Sequence, residues 1–244
     1  MLRSIKQLHG RKLGASDGDI GHVKDFYFDD QSWAVRYVVV DTGSWLMGRT
    51  VLISPHAFGP LHQDGDALRV NLTREQIESS PPIYTHEPVS RQYEVAYFQH
   101  YGWPFYWDGT EMGGVGLFPM ASPVPHDTAP SVGSGGENAG DPHLRSAHAV
   151  VGYAVQGHDG EVGSVADFMM GEEIWGISLI VVETGHWLAG KKIALPTSQV
   201  DRISYDESTV FVAVAKETIE QTPAYHIPPR GAEYCDTHGF EQNY

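Results

Sequence analysis

A chain of 244 residues with a 41% hydrophobic composition is long enough to bury one large core or two small ones. Its 31 acidic and 16 basic residues give a formal net charge of -15, which leaves no basic excess to neutralise nucleic-acid phosphates or an anionic membrane. The one cysteine, Cys235, excludes an intrachain disulfide framework and fits a reducing cytoplasm.

From Met1 to Gln7 the chain runs into polar residues without an apolar stretch, so no signal peptide is expected. The apolar runs Tyr37 to Val40 and Ile177 to Val182 are far short of the ~20 residues a membrane helix needs. A soluble, cytoplasmic protein without an integral membrane segment is the expectation.

Residues 2–81 align without a gap with residues 144–223, at a fixed offset of 142. The identities begin at Leu2-Arg3-Ser4 and Leu144-Arg145-Ser146 and include Gly21/Gly163, Asp25/Asp167, Phe26/Phe168 and Trp33/Trp175. They continue through Thr42/Thr184, Gly43/Gly185, Trp45/Trp187, Gly48/Gly190 and Pro81/Pro223. Two copies are too few for a solenoid, so each reads as a self-contained domain of about 80 residues.

Within a copy the signals are β. Asp17-Gly18 is a turn, and Ile20 to Phe26 reads as a strand of alternating apolar residues. Trp33 to Val40 is a β-branched and aromatic run of strand length. Thr42-Gly43 turns the chain back, Arg49 to Ile53 forms the next strand, and Pro55 stops it. Asp64-Gly65-Asp66 is a further turn before Ala67 to Leu72. Thr73 and Gln76 form a capping-box pattern that opens a short helix. The second copy has Ala215 in place of Thr73, so its helix is expected to fray.

Between the copies, Ser90 reads as the N-cap of a helix carrying Tyr93, Tyr97 and Tyr101, with Phe98 beside them. Gly102 ends that helix, and Trp103, Phe105, Tyr106 and Trp107 keep the aromatic density high. From Met112 to Pro142 the composition is that of a Gly/Pro/Ser-rich flexible linker. The division is a first barrel at 1–82, an aromatic helix and linker at 83–143, a second barrel at 144–224 and a tail at 225–244. The fold class is mainly β: two small barrels in tandem, with short helices.

Val38-Val39-Val40-Asp41-Thr42-Gly43-Ser44 resembles the active-site turn of pepsin-type aspartic proteases, which need two carboxylates sharing one proton. Glu183 supplies the matching acid in the second copy, but its extra methylene displaces the carboxylate by about an ångström in a geometry with little tolerance. A structural hairpin, with Asp41 and Glu183 accepting turn hydrogen bonds, is the simpler expectation. The 13 histidines form no metal-ligand spacing beyond an isolated Cys235-x-x-His238, and the nucleotide-loop and nucleophile-elbow motifs are missing. No metal, cofactor or catalysis is expected. Tyr93, Tyr97, Tyr101, Trp103, Phe105, Tyr106 and Trp107 are the candidate interaction surface, against the alternative that they pack internally.

Gly18-x-Ile20-Gly21-x-Val23-x-Asp25-Phe26, the Trp33 to Val40 strand, Asp41-Thr42-Gly43-x-Trp45-Leu46-x-Gly48 and Leu72-Thr73-x-Glu75-x-Ile77 together resemble the PRC-barrel family. That family takes its name from the cytoplasmic domain of the photosynthetic reaction-centre H subunit. The whole arrangement is similar to bacterial tandem PRC-barrel proteins that carry a Tyr-Gly-Trp-Pro-aromatic segment, here Tyr101 to Trp107. The resemblance implies a non-enzymatic module that docks or assembles with a protein partner or with itself. A peripheral place in a photosynthetic or respiratory electron-transport complex is the second reading, and an aspartic peptidase through Asp41 and Glu183 the third.

Overall fold

The computed structural model describes residues 1–59, 67–81, 91–103, 141, 143–185 and 190–227. The chain divides into two compact units, residues 1–79 with 143–244, and residues 80–142. The first copy contributes β1 (Leu2–Ser4), α1 (Ile5–Leu8), β2 (Lys12–Ala15), β3 (Gly18–Asp29), β4 (Val35–Asp41), β5 (Thr50–Ile53), β6 (Ala67–Arg69) and α2 (Arg74–Glu78). The intervening unit holds α3 (Arg91–Tyr101). The second copy contributes β7 (Leu144–Ser146), α4 (Ala147–Val150), β8 (Ala154–Gly157), β9 (Gly160–Gly171), β10 (Ile177–Thr184), β11 (Lys192–Pro196), β12 (Val200–Ser204), β13 (Thr209–Val212) and α5 (Lys216–Gln221).

Two sheets result, in the orders β5-β4-β3-β2-β6 and β11-β10-β9-β8-β13-β12. Their registers are equivalent: Leu13 faces Gly21 as Val155 faces Gly163, and the parallel pair Leu13/Leu68 matches Val155/Val210. Each path curls back toward its own start. In the second copy β11 runs through the short turn Thr197–Gln199 straight into β12, so the two ends of the strand order are consecutive in the chain. In the first copy Pro55–Ala57 makes the same turn, and Phe58 bridges Val70 where Val200 pairs with Val212. The mainly β class and the two curled sheets are as expected.

The long strand β3 does not alternate simply. Its buried residues Ile20, Val23 and Phe26 are three apart, and register irregularities at Leu13/Gly14 and at Val23/Asp25 absorb the extra residues. Such bulges bend a strand and increase its twist, which is what a tightly curled sheet requires. The second copy bulges at the same place, between Val181/Asp167 and Val182/Val165. Inside the curls lie Leu13, Ile20, Phe26, Val51 and Ile77 in one copy and Val155, Val162, Phe168, Ile193 and Ile219 in the other, all buried. Each such side chain contributes roughly 1.5 to 3 kcal/mol when withdrawn from water.

The first strand of each copy does not stay at home. β1 pairs with β9 of the second copy, Leu2 facing Gly171 and Ser4 facing Met169, and β7 pairs with β3 of the first, Leu144 facing Asp29 and Ser146 facing Tyr27. Local patterning treats residues 1–82 and 144–224 as separate barrels. In the structure each copy also adds to its sheet the first strand of the other.

The terminal helices correct one expectation. Thr73 and Gln76 do form the capping box of α2. Yet α5, whose N-cap Ala215 offers no side-chain bond, still forms over six residues. Asp159, from the β8–β9 turn, accepts the Lys216 N–H at 3.0 Å, as Asp17 accepts that of Arg74 at 2.9 Å. A carboxylate brought from another turn thus replaces the local cap and meets the positive end of the helix. Asp159→Ala is expected to cost about 1 kcal/mol, and Asp17→Ala less, because α2 keeps its capping box. Urea unfolding of the two variants checks the order.

In the other unit α3 forms where the tyrosine spacing places it. Gly102 at φ +67 ends it, with Trp103 N–H returning to Phe98 O at 3.0 Å, a Schellman-type stop that the left-handed glycine permits.

Candidate functional site

β4 is joined to β5, and β10 to β11, by an arm whose geometry explains why its residues repeat. Thr42 is buried and its hydroxyl donates to Arg49 O at 2.7 Å; the Thr184 hydroxyl donates to Lys191 O at 2.9 Å. Gly43 turns at φ +55, a conformation a β-carbon disfavours. The cation that follows is also used twice. Arg49 donates to Glu78 O at 2.9 Å at the end of α2, and Lys191 donates to Thr222 O beyond α5. Positive charge there suits the negative end of a helix.

The acids are less alike than their alignment suggests. Asp41 Oδ1 accepts the Gly43 N–H at 2.8 Å, the turn bond expected of it. Glu183 does not repeat this: the Gly185 N–H goes to Val162 O at 3.2 Å, and the Glu183 carboxylate lies 3.9 Å from Lys192 Nζ. Both acids are exposed; Asp41 is the last residue of β4 and Glu183 the penultimate residue of β10, in different sheets. Beside the second arm is an open cleft of about 400 Å³, lined among others by Glu161, Ser164, Glu183 and Thr184. Its walls are acidic and glycine-rich.

Beyond Gly43 the first arm is apolar and outward. The Arg74 guanidinium sits over the Trp45 ring, 4.5 Å from its centroid, and holds the indole against the barrel. Leu46 is half-buried, and Met47, at φ 53, is 99% exposed. Among the described residues, Ile174 and Tyr205 are the other large hydrophobic side chains exposed at turns of this unit. The sequence reading looked for contact residues in the aromatic helix and passed over this arm, whose residues it used only for the repeat.

Of that aromatic set, the structure brings together Tyr97, Tyr101 and Trp103, with Phe98 beside them. Tyr101 stacks on Trp103 at 4.5 Å between centroids, and Tyr97 meets Tyr101 at 4.9 Å and Phe98 at 5.8 Å. Tyr97 and Phe98 are buried, while Tyr101 and Trp103 keep part of their surface. Tyr93 lies on α3, and Phe105, Tyr106 and Trp107 fall outside the described residues, as do Cys235 and His238. Among the described residues no three of His, Cys, Asp and Glu are grouped to hold a metal ion.

The junction between the copies is the feature sequence reasoning missed. Ser4 caps α1 by accepting the Gln7 N–H at 3.0 Å, and its hydroxyl donates to Asp167 of the other copy at 2.5 Å. Asp167 also accepts the Lys6 N–H at 3.0 Å. The same arrangement recurs with roles exchanged. Ser146 caps α4, its hydroxyl donates to Asp25 at 2.5 Å, and the His148 N–H donates to Asp25 at 3.0 Å. Arg3 pairs with Glu172, and Arg145 with Asp30 at 2.7 Å. At the centre Ala34 bridges Gly176, with the Val35 N–H on Trp175 O and the Ile177 N–H on Trp33 O, both at 2.8 Å. Trp33 and Trp175 adopt φ 59 and 49, unusual for bulky residues and stabilised here by that bridge. Phe28 packs on Phe168 and Phe58 on Trp175, so apolar contact surrounds the polar links. The signal in the sequence was an aspartate inside an apolar strand, repeated together with a Leu-Arg-Ser tripeptide that no local strand needed.

Burial pushes the Asp25 carboxyl above its ordinary value, against the hydrogen bonds from Ser146, His148 and Phe26 that pull it down. A carboxyl raised in the folded state binds more protons there than when unfolded, so its contribution falls as pH rises above about 4 through the raised value. Asp29 runs the other way: burial raises it, but the bonds from Ser32 and Arg36 outweigh burial and leave it lowered. Comparing Asp25→Asn with the parent chain in urea at about pH 4 and about pH 7 isolates the first group. The variant is expected to be relatively more stable at the higher pH.

The fold and these sites define a duplicated small-β-barrel protein whose halves share strands. Residues 6–77 match the family model of the PRC-barrel domain, so the first copy carries a PRC-barrel domain. The second copy repeats that topology in register. No curated protein matches the chain. Among the described residues no helix is long and apolar enough to cross a membrane.

Proposed function

We propose that this chain is a non-enzymatic docking module that presents the Trp45–Met47 arm, on a strand-sharing double barrel, to a protein partner. The carrying observation is Met47, 99% exposed at the tip of an arm anchored by the buried Thr42 and by Arg74 over Trp45. An exposed apolar tip on a fixed base offers contact area at little ordering cost, the pattern of an interface anchor. The net charge of -15 favours a protein partner over nucleic acid. The non-enzymatic reading is supported by the two repeated acids, which lie in different sheets and have different local partners. A site needing two carboxylates in one hydrogen-bonded unit is poorly served by that arrangement.

The test is capture of partners from a lysate of the source organism by the parent chain and by Met47→Asp and Trp45→Ala. At least a ten-fold loss of captured partner is expected for Met47→Asp, about 1.4 kcal/mol or more, with the fold intact by circular dichroism. Equal capture by parent and variant removes the arm from the proposal. Unfolded substrate proteins incubated between about pH 3 and 6 are expected to remain uncut, and cleavage abolished by Asp41→Asn would overturn the non-enzymatic reading.

A further inference from the structure

We infer that two copies of this chain assemble by exchanging halves, the first barrel of each chain folding against the second barrel of the other. The inference rests on the junction and goes beyond the docking arm.

Among the described residues, the bonds across the junction join residues 1–58 to residues 143–177, and the covalent path between those two sets runs through residues 80–142. Nothing in the contacts themselves requires both sets to belong to one chain. The Arg3–Glu172 and Arg145–Asp30 pairs, the Ser4–Asp167 and Ser146–Asp25 bonds and the Ala34/Gly176 bridge are all satisfied equally by a neighbouring molecule. Exchange of an identical element between protomers makes no new interface, which is why it is a low-cost route to a dimer. Here a closed dimer repeats the junction twice and leaves no half unpaired.

What favours the single chain is tethering alone. A partner half on the same chain is present at an effective concentration on the order of millimolar, and the entropy of closing the connection grows only with the logarithm of its length. Chains that fold well below that concentration close on themselves, and chains that fold near it find each other. Because β1 and β7 are laddered into the opposite sheet and Asp167 is buried, a finished junction reopens only by separating the copies. An exchanged dimer therefore persists on dilution.

The full chain is unfolded, refolded at about 1 mM and at about 10 µM, diluted equally, and weighed by light scattering after gel filtration. The concentrated sample is expected to contain a species of twice the 26.9 kDa chain mass, and the dilute sample the single-chain mass. In parallel, full chains carrying Leu2→Cys and full chains carrying Gly171→Cys, which face each other across the exchanged ladder, both with Cys235→Ser, are refolded together at the higher concentration in air. A disulfide joining one chain of each kind is expected, while a chain bearing both substitutions closes on itself in dilute refolding. Single-chain mass at both concentrations overturns the proposal. So does a two-chain species without the mixed disulfide when the doubly substituted chain closes. Met47→Asp is expected to leave the two-chain species intact, so the exchange and the docking arm fail independently.

Discussion

Gly21→Ala is expected to destabilise the protein by about 3 kcal/mol or more, measured by urea unfolding. A β-carbon built on Gly21 falls 1.9 Å from Asp41 O and 2.9 Å from Thr42 Cα, so it meets backbone that has no rotamer with which to give way. Gly21 also sits at φ +155. Overpacking costs about 1 to 3 kcal/mol in a dense interior, and the backbone penalty adds about 1 kcal/mol. Two controls separate these contributions. Gly163 makes the same close approach, 2.1 Å from Glu183 O, and is not in the left-handed region, so Gly163→Ala should show the steric part without the conformational one. Gly43 is left-handed at φ +55 with nothing within 4 Å of its built β-carbon, so Gly43→Ala should cost only about 1 kcal/mol. Equal costs at all three positions would sink the steric explanation. Because Gly21 lies under the root of the Trp45–Met47 arm, Gly21→Ala should also weaken partner capture, whereas Met47→Asp weakens capture at full stability.

These glycines show what a single sequence makes legible. The repeat made the arm visible as structure, since Thr42, Gly43, Trp45 and Gly48 return while Asp41 becomes Glu183. The hydroxyl bonds of Thr42 and Thr184 give the physical reason. The capping box of α2 and the glycine stop of α3 were readable because both are local, with donor and acceptor within a few residues. The cap of α5 was not, because Asp159 is 57 residues from the N–H it accepts. Strand exchange was hidden for a stronger reason. Ser4 can meet an aspartate in either copy, and Asp25 and Asp167 hold the same position in the repeated Val-x-Asp-Phe, so the pattern is equivalent whichever strand is chosen. Alternation and propensity say that a segment is a strand, and say nothing of which equivalent edge it joins. The docking arm was overlooked because Met47 reads as an ordinary apolar residue until its exposure is known.

Asp167→Ala is expected to cost more than Gly21→Ala, about 3 to 5 kcal/mol. It is also expected to change the character of unfolding. Asp167 is 1% exposed and accepts three donors: the Ser4 hydroxyl at 2.5 Å, the Lys6 N–H at 3.0 Å and the Phe168 N–H at 2.7 Å. Alanine leaves all three facing a site from which water is excluded, and each buried donor left unpaired costs about 1 to 3 kcal/mol. Asp167→Asn keeps one oxygen but turns an amide toward a donor, so an intermediate loss is expected. Asp25 holds the equivalent bonds in the other half of the junction but is only partly buried, where water can take over a lost partner, so Asp25→Ala should cost less. The inequality between two residues at the same position of the repeat is the sharp part of the prediction. A second readout bears on the coupling of the copies. Ser4 and Lys6 belong to the first copy and Asp167 to the second, so the bonds lost are bonds between copies. Calorimetry of the parent chain should show the strand-sharing barrels melting as one transition, and Asp167→Ala should split it into two. A variant that loses the expected stability yet still melts in a single transition would place the coupling in the aromatic contacts around Phe28, Phe168 and Trp175 rather than in the carboxylate.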